Sequence, residues 1–350
     1  MSQYLQPRTY LAAIERMPKL PFTLLGLFPR VPVSTRLIEI PIQNWDARDV
    51  HMSTEDGESL PVGLGEIEWQ GFEPGWIKLF HKWTHEDVTI FDRAFAHLSL
   101  PEGQLLPEMR EWIAKAGLLM QNGVTALEIA GETRRNIMCA GALQGEITGT
   151  LADGNALAAS LGLQTLTEAS TKWDNIAATI ISDVRTAKRE FKRQNPAQVL
   201  PDTAIIHELL VDEIAQNTEI KNLIVGNPAF TAGYLGLTEG QPIVQDDGTI
   251  VKPKWLGLDW IVVNDEYLDT AGASAEVWDW KQITYLHRGL ASPRWSQTIG
   301  DKFTPNLGAN YETEEPNAAD RKVWKTHRFD KGIPHFAAPQ YVQRQRVVAA

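Results

Sequence analysis

Histidines, carboxylates and thiols are where chemistry would start in this sequence. His81 and His85 stand four residues apart and run into Glu86 and Asp87. On a strand the two imidazoles would share a face but sit about 13 Å apart, too far for one ion. On a helix they could chelate. We read the segment as polar residues of a β element rather than a metal site. His287, His327 and His335 lie in a sheet-rich tail with no paired nucleophile, which reads as ordinary packing. Asp183, Arg185, Lys188, Arg189 and Glu190 read as a solvated helix face. Cys139 is the sole cysteine, so no intrachain disulfide or cysteine-cluster metal site can form, and it reads as a small buried apolar residue. The phosphate loop, the dinucleotide fingerprint, the nucleophile elbow and the zinc helix motif are all missing. Gly63-Leu64-Gly65 lacks a third glycine and sits among acids. The expectation is no catalytic residue, no cofactor and no metal.

The elements that would position such groups must come from 350 residues, enough for a sizeable core. Hydrophobic residues make up 43% and charged residues 22%, which excludes a disordered chain, a collagen or a coiled-coil rod. There is no apolar run long enough to span a membrane. The greasy stretch Leu20 to Phe28 is broken by Pro21 and lacks a small-residue cleavage site, so a signal peptide is rejected and a soluble intracellular protein is expected. The formal charge is −11, which argues against general attraction to nucleic acid. The ends run the other way. Residues 1–36 carry Arg8, Arg16, Lys19, Arg30 and Arg36 against Glu15 alone, and 321–350 carry seven bases against Asp330 alone.

Prolines at 7, 18, 21, 29 and 32 make residues 1–36 an extended arm. Its apolar side chains, Phe22, Leu25 and Phe28 among them, must find burial beyond the arm itself, on this subunit or on a neighbour; assembly is expected to depend on them more than subunit stability does. Residues 37–92 read as β structure at Leu37–Ile42, Trp76–Phe80 and Val88–Phe91 around a long acidic loop. Glu39 to Glu73 holds nine acids and one base, Arg48. Trp69 and Trp76, with little local core, read as anchors for a neighbouring subunit. Residues 107–148 carry a 3.6-residue apolar stripe behind Pro107: one long helix, or two broken near Gly131. The glycines inside it imply close approach of a neighbour.

Residues 171–275 read as a compact α/β unit. Asp174 caps a helix running to Phe191, Thr203–Ile206 is a strand leading into a helix, and Asp247-Gly248 turns a hairpin. Trp260–Val263 has the look of a fully buried strand. Residues 276–350 return to β structure at Gln282–Leu286, Lys322–His327 and Tyr341–Val348, interrupted by an acidic loop at 310–320.

Three short stretches carry a resemblance. Glu73-Pro74-Gly75-Trp76-Ile77-Lys78 resembles a return from an extended loop, Trp173-Asp174 with Asp183 the entry to a first A-domain helix, and Pro201 to Ile206 the strand that follows. With the order of elements, they make the chain similar to tailed-bacteriophage major capsid proteins of the Hong Kong 97 fold, nearest the lambda-like family. The resemblance implies an α+β chain with an N-terminal arm (1–36), an extended β E-loop (37–92), a P-domain with a long spine helix (93–170 and 276–350) and an A-domain (171–275). It implies self-assembly into pentamers and hexamers, a shell enclosing double-stranded DNA without sequence-specific binding, and a virion assembled in the host bacterial cytoplasm. Implied partners are a separate scaffolding protein, because no long helical extension precedes the arm, a portal and a decoration protein; no membrane is implied. Some relatives join Lys to Asn, but no acceptor is assigned here for Lys78 or Lys82. The alternatives are an encapsulin-type compartment of the same fold and a soluble hydrolase with an unrecognised site.

Overall fold

The computed structural model describes residues 22–35, 38–43, 67–72, 76–98, 106–150, 156–160, 163, 166–195, 197–226, 243–244, 250–251, 255–268, 272–300, 304–314 and 324–349, some of them by backbone alone. A long helix and two five-stranded sheets organise it. Strands β1 (Arg30–Val33), β2 (Ile38–Gln43), β3 (Ile67–Phe72) and β4 (Trp76–Trp83) come first, then helices α1 (His85–Leu98) and α2 (Pro107–Gln144). Next are β5 (Glu146–Thr150), β6 (Ala156–Ser160), β7 (Thr167–Glu168), α3 (Ile180–Gln194), β8 (Thr203–His207), α4 (Glu208–Gln216) and α5 (Thr218–Gly226). The chain continues through β9 (Ile243–Val244), β10 (Ile250–Val251), β11 (Asp259–Val263), β12 (Glu266–Leu268), β13 (Ser274–Glu276) and β14 (Gln282–Leu286). It closes with α6 (Arg288–Ala291), β15 (Pro293–Thr298), β16 (Asn310–Glu314), β17 (Trp324–Phe336) and β18 (Val342–Arg346).

The first sheet is built on β17. Its first half lies between β4 and β16, both antiparallel; its second half pairs with β15, and β1 adds to β15 in parallel. The second sheet has the order β11-β8-β14-β18-β7. The hydroxyl of Thr284 on β14 donates to Leu143 O at the end of α2, and the neighbouring Tyr285 feels Asp183 of α3. Because successive side chains point to opposite faces, the sheet lies between α2 and α3. One core cluster fills both sides; a second joins Trp83, Val88, Phe91, Met120, Val124 and Leu127 beneath α1.

The spine is a single helix of 38 residues, without the break considered at Gly131. Pro107 sits in its first turn and Gly145 ends it at φ 94°, a conformation that favours glycine. Its interior glycines have the neighbours expected of them. A Cβ on Gly123 would lie 2.3 Å from the Trp83 ring, so glycine there lets β4 close on the helix. Gly117 differs, with nothing within 4 Å.

Several expectations are corrected. Val88–Phe91 is helix, not strand. Thr84 and Asp87 cap α1 reciprocally, each side chain accepting from the other's backbone N–H (2.9 and 3.3 Å), and this start signal outweighs the β-branched run behind it. Asp174 caps no helix: α3 begins at Ile180, where Glu219 of α5 accepts from Ile181 N at 3.1 Å. That cap is tertiary. Asp183 is not solvated. It is 4% exposed and accepts from Ser170 Oγ and the Trp173 indole at 2.5 and 3.1 Å. Lys188 is drawn to Leu256 O. β11 is an edge strand, half-buried at Ile261 and Val262. The expected loop at 310–320 begins as strand β16.

The arm's apolar cluster finds burial beyond the arm, on this subunit. Leu24 and Phe28 are fully buried in this subunit's own core, Phe28 against the Phe336 ring at 5.7 Å. Trp76 packs edge-on against Phe329 with Lys78 and Lys331 each 4.9 Å from its ring, so it is anchored within its own sheet. The hairpin pairing of β9 with β10 is present. Residues 1–21, the tip of the acidic loop at 44–66 and the Trp69 side chain lie outside the described residues.

Candidate functional site

Helix periodicity puts Glu128, Glu132 and Arg135 on one face of α2, four and three residues apart. Strand alternation puts Arg328 and Asp330 on the face of β17 turned toward them. Arg30, at the start of β1, comes in from the arm. Three guanidiniums thus meet three carboxylates.

Arg328 is fully buried. Its Nε donates to Glu128 Oε1 at 3.2 Å, and its Nη2 to Glu132 Oε1 at 2.9 Å. Its Nη1 lies against Gly131, where a Cβ would come within 2.1 Å. Arg30 spans two partners, Glu132 at 2.8 Å and Asp330 at 2.9 Å, and also donates to Gln297 at 3.1 Å. Asp330 is wholly buried; its contact with Arg30 is an ion pair without hydrogen-bond alignment. Arg135 donates to Glu132 and, at 2.8 Å, to the Phe28 carbonyl, while its guanidinium lies 5.2 Å from the centre of the Trp295 ring. The Tyr311 hydroxyl donates to Glu128.

The electrostatics follow from this closure. Burial alone would raise the Glu132 carboxyl and lower the Arg328 guanidinium. The surrounding opposite charges win in both cases, so Glu132 titrates below its usual range and Arg328 above. Burial, then Glu128, pushes the Tyr311 phenol up. Such a cluster has no poised nucleophile or proton donor. What it can do is fix geometry: breaking a buried pair strands a charge, at about 3–5 kcal/mol. The elements fixed are the arm root, the spine helix and the long strand. A second polar tie nearby does the same, with Asp265 accepting from Thr23 N and Asn136 Nδ2 at 3.2 and 2.8 Å.

The residues singled out for chemistry are not brought together. His81 lies on β4 against Trp83 and His85 starts α1, so they share neither a strand nor a helix; burial lowers the His81 imidazole. His287 Nδ1 accepts from Leu290 N at the start of α6, and His327 Nε2 is 3.0 Å from Glu314. Burial, then Arg294, pulls His335 down to about 4. Burial pushes Cys139 up to about 12. Among the described residues no three His, Cys, Asp or Glu are grouped to hold a metal, and no helix is long and apolar enough to cross a membrane. The charge network itself was missed. Its only sequence signals are the Glu128-Glu132-Arg135 spacing around Gly131 and the alternate Arg328 and Asp330.

Comparison with known proteins places this architecture. The family described as phage major capsid protein E matches residues 7–342. The fold is similar to that of a protein described as a capsid protein of an Escherichia coli CFT073 prophage, at 12% identity, with 99% of each chain covered and a TM-score of 0.61. An encapsulin from Synechococcus elongatus is similar at 12% identity, with 97% of this chain and 95% of that one covered and a TM-score of 0.48. The mature capsid of bacteriophage PhiM1 is similar at 10% identity, with 94% and 88% covered and a TM-score of 0.48. No curated protein matches. With an α+β chain of the Hong Kong 97 fold and a family match over nearly its whole length, this protein belongs to the phage major capsid protein E family and is a component of the phage shell.

Proposed function

We propose that the chain is the repeating unit of a phage head, self-assembling into pentamers and hexamers that close an icosahedral-type shell around double-stranded DNA. Packaged DNA is held without sequence-specific binding, in keeping with the net charge of −11. The observation that carries this reading is the ribbon of β2 and β3. The two strands pair with each other over six residues and, among the described strands, with nothing else. A two-stranded ribbon is marginal alone, and a neighbouring subunit is its natural support. The acidic sequence between its strands offers negative charge for basic side chains of that neighbour.

The division into arm (1–36), E-loop (37–92), P-domain (93–170 and 276–350) and A-domain (171–275) is part of the same proposal. The two domains share a sheet on this division, since β14 pairs with β8 and β18 lies on the far side of β14. A separate scaffolding protein, a portal and a decoration protein are the proposed partners, assembly takes place in the host bacterial cytoplasm, and catalysis has no role. The test is negative-stain microscopy of the expressed protein, alone and with the products of adjacent genes. Rings or closed shells are expected, containing nuclease-protected DNA when packaging is reconstituted. A dispersed monomer in every mixture overturns the reading. Shells filled only with a protein cargo would make it an encapsulin-type compartment instead.

A further inference from the structure

Helix α3 buries Ile180, Asp183, Val184, Ala187 and Phe191. Its exposed side therefore presents Arg185, Arg189, Lys192 and Arg193, a stripe about 12 Å long at 1.5 Å per residue. No carboxylate among the described residues pairs with any of the four. Lys188 is set apart from them by its bond to Leu256 O, and Glu190 on the same helix is half-buried. Like charges one turn apart on the helix repel slightly, and on a chain of net charge −11 this positive stripe is a local exception that suits an acidic partner surface.

A complementary helix exists on the same molecule. α4 carries Glu208, Asp212 and Glu213 with no basic residue, and Glu208 and Asp212 are exposed on adjacent turns. Leu209, 45% exposed, adds an apolar patch beside them. α5 contacts both α3 and α4, so the basic and acidic helices belong to the same packed group. Opposite charge on two different faces of one chain suits a head-to-tail contact, and repetition of such a contact by a fixed rotation closes a ring.

We propose that the basic stripe of α3 docks on the acidic face of α4 of a second copy of this chain, as a charged contact between adjacent subunits of each ring. The inference rests on the shell reading above. It assigns the stripe a protein partner rather than DNA, because two exposed carboxylates, Glu208 and Asp212, repeat the four-residue spacing of Arg185 and Arg189 on the chain itself. The contact is exposed at its rim, so added salt weakens it.

The experiment is a charge swap read by assembly. In Arg185→Glu with Arg189→Glu, and separately in Glu208→Lys with Asp212→Lys, the subunit concentration for half-assembly should rise at least about tenfold. Combining the four substitutions restores opposite charge with the signs exchanged, and should bring that concentration back to within about threefold of wild type. Thermal melting of the free subunits guards against misfolding; all four side chains are exposed, so melting should match wild type. Either pair alone assembling like wild type overturns the proposal, as does a combined variant worse than its parents. A stripe variant that assembles normally but loses packaged DNA overturns it too, and assigns the stripe to nucleic acid. Wild-type protein that forms no rings at all overturns the shell reading itself, which is a separate failure.

Discussion

Gly131 and Arg328 occupy one space. The β-carbon that Gly131 lacks would lie 2.1 Å from Arg328 Nη1. A fully buried guanidinium thus reaches Glu128 and Glu132 only because the spine helix has no side chain between them. The helix accepts glycine's lower propensity, about 1 kcal/mol relative to alanine, and gains a charged tie to β17.

This gives two opposite outcomes for one substitution type. Gly131→Ala should destabilise the free subunit by about 1–3 kcal/mol through overpacking against Arg328. Gly117→Ala, with nothing within 4 Å, should leave it unchanged or raise stability by up to about 1 kcal/mol. Denaturant unfolding of both variants decides the matter; equal effects would remove Arg328 as the reason for Gly131.

Glu132→Gln should cost about 3–5 kcal/mol at neutral pH, since Arg30, Arg135 and Arg328 all lose a charged partner. The Glu132 carboxyl titrates below its ordinary range when folded. Its contribution is therefore fully present above the unfolded value of about 4.3 and is lost as pH falls through the lower folded value. Urea melts of wild type and variant should converge in that acid range. A gap unchanged by acid would show that packing, not charge, sets the cost.

His335 gives a dependence in a different window. Burial and Arg294 hold its folded pKa at about 4. An unfolded imidazole titrates near about 6.5, so this group's contribution is present above that value and declines as pH falls from it toward about 4. His335→Gln should flatten the stability profile between those limits, as read by thermal melting at stepped pH. A profile with the same slope in both proteins would rule the residue out.

Phe28→Ala should act on the subunit before it acts on the shell. The ring is fully buried against Phe336 and the core, so truncation should cost about 3–5 kcal/mol. Melting of unassembled protein is the readout, and a melt indistinguishable from wild type with assembly lost would return the residue to an intersubunit role.

Cys139 should resist thiol reagents at pH 8 in the native subunit and react fully once unfolded. It is buried, and burial raises its pKa to about 12, so almost no thiolate is present. Rapid native labelling would mean that α2 opens on the timescale of the reaction.

Local signals made much of this protein legible from its sequence. The apolar stripe behind Pro107 specified helix over this stretch, because helical periodicity and a start signal are properties of neighbouring residues, while its continuity through Gly131 was left to the packing. The strands at Thr203–His207 and Gln282–Leu286, and the pairing of β9 with β10, were readable for the same reason. The order of these elements was enough to reach the family. Tertiary structure decided the rest. Ile180 begins α3 because Glu219, 38 residues on, caps Ile181. Asp183 is buried because Trp173 and Ser170 supply its donors. Arg30, Glu132 and Arg328 became a site only when three distant segments converged, since the charge of a residue says nothing about which opposite charge will be folded against it. Phe28 could be seen to need burial, but only the packed core of this subunit could say where.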